Sequence, residues 1–245
     1  MPLIRVPEHR PEDLAAWSRW ERQDAALAST AALAEQAAAA IETIESFARR
    51  GPCYASVSWG KDSTVLAHLV WTLDAVSGLS IPMVWIRVEP IANPHCRLVR
   101  DAFMLDHPHD YTEIEVACPR DSSGVWHATG TLEHGFRRAS EQRGTDRYIL
   151  GIRAEESAGR KRRMLRGLSA GRSCAPLGHW SIEDVFAYLH RERLPVHPAY
   201  AMSLGGRIER RSIRVASIGG ERGTGFGRRQ WEERYYPRGS PETVP

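Results

Sequence analysis

An α/β fold built on a doubly wound parallel sheet is the class this sequence predicts, and three observations carry it. β-prone runs at 53–58, 82–88, 111–116 and 147–152 alternate with helix-prone runs, the order that builds a parallel sheet with crossover helices. The second run, Pro82–Val88, is apolar throughout apart from Arg87, as a strand covered on both faces must be. Polar segments follow the strands at Ser58–Ser63, Glu89–Asn93, Cys118–Ser122 and Gly151–Arg163. In open α/β sheets ligands bind outside the carboxyl ends of the strands, so these segments are expected to converge on one site.

Taken in order, residues from about Pro11 to Arg50 read as helical. Pro11, Glu12 and Asp13 suit a first turn. Trp17, Trp20 and Leu27 share one stripe, and Ile41, Ile44 and Phe47 another. Ser29-Thr30 is a candidate break, the alanine run Ala37–Ala40 favours helix, and Gly51-Pro52 stops it. This region either covers the core or forms an oligomer contact through its helices. A helix is predicted at Ser63–Val76 after the first strand, and another at Pro94–Leu105 after the second. A weaker one is predicted over Ser123–Arg143, with Gly130 or Gly135 as possible breaks. Ser181–Arg193 reads as a helix capped by Ser181, with Asp184 in its first turn and Pro195 and Pro198 beyond its end. After Tyr200 the chain is rich in Gly and Arg without periodicity. The expected organisation is a helical region over 1–51, a nucleotide-binding α/β domain over 52–200 and a basic extension over 201–245.

The 245 residues, 42% hydrophobic and 26% charged, are ordinary for a soluble globule. No apolar run approaches a membrane span, and the opening residues lack the apolar segment of a signal peptide, so a cytoplasmic location without membrane contact is expected. Cys53, Cys96, Cys118 and Cys174 are scattered without a C-x-x-C pair, which argues against a zinc ribbon or a local iron–sulfur signature and for buried free thiols. A net charge of +3 does not by itself announce nucleic acid. His107, His109 and Asp110 read as turn and capping residues rather than metal ligands.

The segment Ser58-Trp59-Gly60-Lys61-Asp62-Ser63 joins a strand to a helix. Backbone N–H groups and the positive end of a helix dipole then face the sheet's carboxyl edge, a ready phosphate site. Lys61 adds a charge and the Ser58 and Ser63 hydroxyls add donors, and Asp62 or Ser63 is placed to cap the helix. It is not a Walker A loop, since Ala55 and Asp62 stand where that motif needs Gly and Ser or Thr. A second constellation follows the fourth strand: Gly151, which would allow close backbone approach to a ligand, then Arg153, Glu156, Ser157 and Arg160. Its arginines can fork onto phosphate or sulfate oxygens.

The Ser-x-Gly-Lys-Asp-Ser pattern resembles the PP-loop of the ATP pyrophosphatase superfamily. With it, Gly151, Arg153, Glu156, Ser157 and Arg160, then Pro176, Trp180, Asp184, Tyr188, Leu189, Pro195, His197 and Pro198, resemble the phosphoadenosine phosphosulfate (PAPS) reductase family. The resemblance covers roughly Cys53 to Tyr200 and implies an adenine nucleotide α-hydrolase-like fold. It implies that Ser58, Trp59, Gly60, Lys61, Asp62, Ser63, Glu89, Gly151, Arg153, Glu156 and Ser157 contact the nucleotide, and that Lys61, Asp62, Arg153 and Arg160 serve catalysis. ATP is the implied nucleotide, with Mg²⁺ held mainly by its phosphates.

Reductases of that family carry a nucleophilic Cys in a C-terminal tail, and here the last cysteine is Cys174. The resemblance therefore implies ATP cleavage between the α- and β-phosphates, activating an acceptor for sulfur incorporation. DNA phosphorothioation is one such scheme, with a DNA or tRNA acceptor and a sulfur-donor protein as partners. Glu89-Pro90-Ile-Ala-Asn93-Pro94 also resembles the phosphorothioation-type enzymes. The alternatives are a PAPS or adenylylsulfate reductase using Cys174 as a relocated thiol, and a nucleotide-binding module without catalysis. In the tail, arginines that include Arg210, Arg211, Arg228 and Arg229 interleave with Phe226, Trp231, Tyr235 and Tyr236. That composition suits phosphate clamping and base stacking, a lid over the nucleotide, or a solvated extension.

Overall fold

The computed structural model describes residues 2–120, 130–215, 218 and 228–237. Two helices open the chain, α1 (Pro11–Ala28) and α2 (Ala31–Ala48). The break falls at Ser29-Thr30, as expected, because the Thr30 hydroxyl accepts the Leu33 N–H at 3.4 Å and starts a second helix. Trp17, Ile44 and Phe47 are buried in the main core while Leu27 is exposed. Each of those buried side chains contributes on the order of 2 kcal/mol.

Four parallel strands follow: β1 (Tyr54–Val57), β2 (Met83–Glu89), β3 (Tyr111–Ala117) and β4 (Tyr148–Leu150). A hairpin of β5 (Ser169–Ala170) and β6 (Ser173–Cys174) extends the sheet to six strands, ordered β3-β2-β1-β4-β6-β5 with β5 alone antiparallel. The hairpin escapes sequence reading because two-residue strands show no periodicity. The chain runs outward from β1 to β3, then returns to place β4 on the other side of β1. That reversal opens a crevice between the carboxyl ends of β1 and β4.

Side chains alternate across the sheet. Ala55, Val57, Met83 and Trp85 join a core with α1, α2, α3 (Lys61–Ser77), α4 (Cys96–Asp106), α7 (Ile182–Arg191) and α8 (Arg228–Tyr235). Tyr54, Val84, Ile86, Ile114 and Val116 face the other way, with Ala139 and Phe136 of α5 (Thr131–Arg143). Helix α5 begins at Thr131, and residues 123–129 of the predicted helix lie outside the described residues. Gly135 does not break it. A Cβ there would stand 2.2 Å from Ile86 Cγ2, so glycine lets the helix lie directly on β2. α7 carries the expected cap, Ser181 and Asp184 each accepting the other's N–H. No helix among the described residues is long and apolar enough to cross a membrane.

Among the described residues of the tail, Trp231 and Tyr235 belong to the core and are not available to stack on bases. Trp231 Nε1 donates to the Met202 carbonyl at 2.6 Å, and Tyr235 Oη donates to Asp13 at 2.8 Å. Tyr236 Oη lies 3.1 Å from Asn93 Nδ2. Trp231 and Tyr235 are buried, and Phe226 lies outside the described residues. Arg210 also fails as a nucleic-acid contact. Only 8% exposed, it forks onto both oxygens of Asp24 and stacks 4.0 Å from the Phe186 ring centre. Removing one partner of a buried pair strands the other charge, so Asp24→Ala is expected to cost about 3–5 kcal/mol, read from the urea midpoint.

His107 and His109 contact the carbonyls of Phe103 and Ile81, at 3.3 and 2.8 Å, in keeping with a turn-capping role. Burial and neighbouring His107 push His68 down to about 4, and burial, with His95 and His9 nearby, pushes His197 well below 6.5. These rings are neutral when folded and bind protons once unfolded. Stability is therefore full above about pH 6.5 and expected to fall below it, by about 1.4 kcal/mol per pH unit for each ring. For His68 that loss runs down to about pH 4. Urea unfolding at pH 7.5, 6 and 5 tests this, and equal midpoints would refute it.

Candidate functional site

A cleft of about 1080 Å³ opens at the carboxyl ends of β1 and β4. Its lining includes Ser58, Gly60, Lys61, Asp62 and Ser63 from the loop after β1, and Gly151, Arg153, Glu156 and Arg160 from the segment after β4. The two constellations read from sequence thus meet across the switch point. Ile86, Leu132, Phe136 and Leu150 form an apolar wall, and Ile208, Arg211, Ile213, Arg214, Val215 and Trp231 line the cleft from the chain's last third. Five cations and three carboxylates line it.

The loop is built differently from the expectation in its details. Helix α3 starts at Lys61 with Gly60 as its N-cap, so neither Asp62 nor Ser63 caps it. Ser63 Oγ instead accepts the Ser58 N–H at 3.1 Å and donates to the Gly60 carbonyl at 3.0 Å, closing the loop on itself. The Lys61 N–H donates to Tyr200 Oη at 3.1 Å. These amides are engaged within the protein, whereas those of Asp62 and Ser63, in the first turn of α3, have no intrahelical partner. Trp59 is fully buried and does not line the cleft. Its indole donates to Tyr111 Oη at 3.3 Å and packs on Phe103, while its backbone sits at φ 60°. That left-handed conformation costs a tryptophan about 1–3 kcal/mol; the anchored ring holds it there.

Asp62 links the two constellations. One of its oxygens takes Lys61 Nζ at 2.7 Å, the other takes Arg153 Nε. Arg153 is 2% exposed, bonds Glu155 as well, and its backbone N–H donates to Glu156 at 2.9 Å. Burial opposes the guanidinium charge, but Asp62 and Glu155 outweigh it and raise the Arg153 pKa. Glu156 also takes Arg160, which makes it a positioning carboxylate for two arginines. Ser157 caps α6 (Ala158–Met164), accepting the Arg160 N–H at 3.2 Å, and does not line the cleft. Glu89 ends β2 paired with Arg87, away from the lining. Gly151 does allow a close approach, but to protein: a Cβ there would fall 2.8 Å from the Asp62 carbonyl oxygen and 3.1 Å from Ser63 N.

Tyr200 was missing from the predicted site. It is buried at the cleft's edge, burial and then nearby Asp62 push its hydroxyl well above 10, and Lys61 Nζ stands 5.5 Å from its ring centre. Its signal lay in the Leu-Pro-x-His-Pro-x-Tyr turn, whose terminal tyrosine reaches back to the loop. The cleft's apolar wall had no local signal at all. Arg211 lines the cleft, and the side chains of Arg228 and Arg229 lie outside the described residues. All four cysteines are buried and none lines the cleft. Cys174, the candidate relocated thiol, sits in β6 with burial raising its pKa, the reverse of an activated nucleophile. Among the described residues no three His, Cys, Asp or Glu side chains gather as a metal site, and each carboxylate lining the cleft already holds an arginine or lysine. Any Mg²⁺ here fits better on phosphate oxygens than in a protein cage.

Residues 131–225 match the phosphoadenosine phosphosulfate reductase domain family. The chain is 29% identical to sulfate adenylyltransferase subunit 2 of Xanthomonas campestris pv. campestris, covering 58% of each chain. It is 25% identical to the same-named protein of Nocardia farcinica, covering 62% of this chain and 60% of the relative. The match thus spans under two thirds of these curated relatives' length. In fold it is similar to the crystal structure of Candida glabrata FMN adenylyltransferase, with a TM-score of 0.51 at 15% identity over 76% of this chain and 67% of that one. The family match covers less than half of the chain and takes in the segment after β4 that lines the cleft.

Proposed function

We propose that this chain binds ATP in the β1/β4 cleft and cleaves it between the α- and β-phosphates, passing the adenylyl group to an oxygen acceptor. The observation that carries this reading is the meeting of Lys61, Arg153 and Arg160 in one cleft beside the opening turn of α3, with no thiol lining it. Asp62 pairs with both Lys61 and Arg153. The β- and γ-phosphates compete with that carboxylate for Lys61 and take the Asp62 and Ser63 amides. The acceptor oxygen attacks the α-phosphorus, the α–β bridging P–O bond breaks, and its electron pair leaves with pyrophosphate. Arg153 and Arg160 offset the charge that develops on that leaving group. Mg²⁺, carried by the phosphates, screens their charge when bound. The apolar wall of Ile86, Leu132 and Phe136 suits the adenine ring.

Adenylyl transfer is the class of step in the relatives' name. For this chain we read the acceptor as a nucleic-acid oxygen and the sulfur donor as a separate protein, as in DNA phosphorothioation. Incubation with ATP labelled at the α- and γ-phosphates, with Mg²⁺, tests the bond broken. AMP or an adenylylated product with pyrophosphate is expected; ADP and orthophosphate would refute the scheme. A parallel arm with sulfate separates the acceptors, since adenylylsulfate as the product would overturn the nucleic-acid reading. PAPS with thioredoxin is expected to release no sulfite.

A further inference from the structure

Residues 157–182 carry six cations, Arg160, Lys161, Arg162, Arg163, Arg166 and Arg172, and no carboxylate. The whole chain is +3, so that segment's +6 leaves −3 for everything else. The cations do not share one fate. Arg160 bonds Glu156 and lines the cleft. Arg163 is pinned to the carbonyls of Ser173 and Leu168, at 3.2 and 3.4 Å, and Arg172 is 3.9 Å from Asp146. Lys161, Arg162 and Arg166 stand exposed with no acidic partner among the described residues. Some exposed arginines elsewhere do find one, as Arg49 does in Glu45 and Arg211 in Glu209 at 2.8 Å; what sets these three apart is that they cluster with Arg160 on one short segment without a carboxylate.

We propose that the outer face of α6 and the turn after it form a nucleic-acid docking surface, along which a single strand runs past Arg160 into the cleft. Three arguments favour a nucleic acid. The face is of one sign, whereas a protein interface mixes polar signs around an apolar centre. Its charge is mainly guanidinium, the group that forks onto phosphate. It is continuous with the cleft, because Arg160 belongs to both and Arg211 and Arg214 line the same cleft. Leu165, 82% exposed amid the cations, offers an apolar contact to a base. The cleft volume admits nucleotides and a few phosphates of one strand, not a duplex. The docking depends on the ATP reading only for what the bound strand is used for.

The test is the affinity of a fluorescein-labelled 20-nucleotide DNA strand for the full chain and for K161Q/R162Q/R166Q, across a salt series. Single strands lose about 0.7 in log–log salt slope per phosphate contact removed, so the triple variant is expected to lower the slope by about 2. Affinity at 0.1 M salt is expected to fall at least about tenfold, with acceptor-free ATP cleavage unchanged. Equal binding by both proteins, or no binding by the wild type at 50 mM salt, overturns the proposal. So does displacement of the strand by polyglutamate as readily as by unlabelled DNA, which would mark a surface for acidic proteins. If the strand binds through α6 while ATP is not cleaved, the docking surface stands and the reading of the cleft falls.

Discussion

Lys61→Ala is expected to lower turnover by at least about 10²–10³-fold while leaving the fold intact. The ammonium is among the few buried cations of the described residues, held 2.7 Å from Asp62 and beside the Tyr200 ring. Its removal does not strand the carboxylate, because Arg153 still holds Asp62. The backbone N–H of residue 61 still reaches Tyr200, so the loop keeps its anchor. What disappears is the lysine that the proposed scheme assigns to the leaving pyrophosphate. Pyrophosphate release measures the loss, and the thermal midpoint, expected within a few degrees of the wild type, shows that folding is not the cause. Lys61→Arg is expected to recover little, since a planar guanidinium does not replace a compact ammonium in a buried slot. Retention of more than a tenth of the activity by Lys61→Ala would remove this residue from the mechanism.

Gly151→Ala is expected to damage stability and activity together. The added methyl would meet Asp62 O at 2.8 Å, Asp62 C at 2.9 Å and Ser63 N at 3.1 Å. All three are backbone atoms of the first turn of α3, which cannot rotate away as a side chain would. The end of β4 and the start of α3 must separate, at a cost of about 1–3 kcal/mol. Arg153 then moves off Asp62, and the two halves of the cleft lose register, for which misplacement by about 1 Å can cost 100-fold in rate. Gly159→Ala is the control. Its nearest contact is Ser157 Oγ at 3.9 Å, and it lies within α6, so alanine there is expected to be neutral or stabilising by about 0.5–1 kcal/mol. Urea midpoints and pyrophosphate release for the pair decide the matter. If the two variants behave alike, the close approach at Gly151 is not what aligns the site.

Much of the fold was legible because its signals are local. The four main strands are where apolar runs placed them, and the breaks at Ser29-Thr30 and the cap at Ser181 follow from hydroxyl chemistry within one helical turn. The loop after β1 and the segment after β4 were legible as a pair, since strand order puts both at one sheet edge. Individual roles were less so. Trp59 sits in the loop but points into the core, and Ser157 spends its hydroxyl on a helix cap. Arginine-rich composition suggested that Arg210 faces a polyanion, yet Asp24, 186 residues earlier, holds it buried. Composition cannot say which arginine meets a carboxylate brought from a distant helix.

By itself, then, the amino-acid sequence determined the order of the four main strands and the helices between them, and that the loop after β1 and the arginine segment after β4 share a sheet edge. Those features depend on periodicity and on groups within a few residues. Tertiary structure alone decided that Asp62 bridges Lys61 and Arg153, that Tyr200 holds the loop and that Trp231 and Tyr235 belong to the core. It also decided that Arg210 is paired and buried while Lys161, Arg162 and Arg166 stand exposed beside the cleft. The physical reason is that pairing, burial and exposure depend on which distant side chain arrives within about 3 Å, a distance the chain sets only when it is folded.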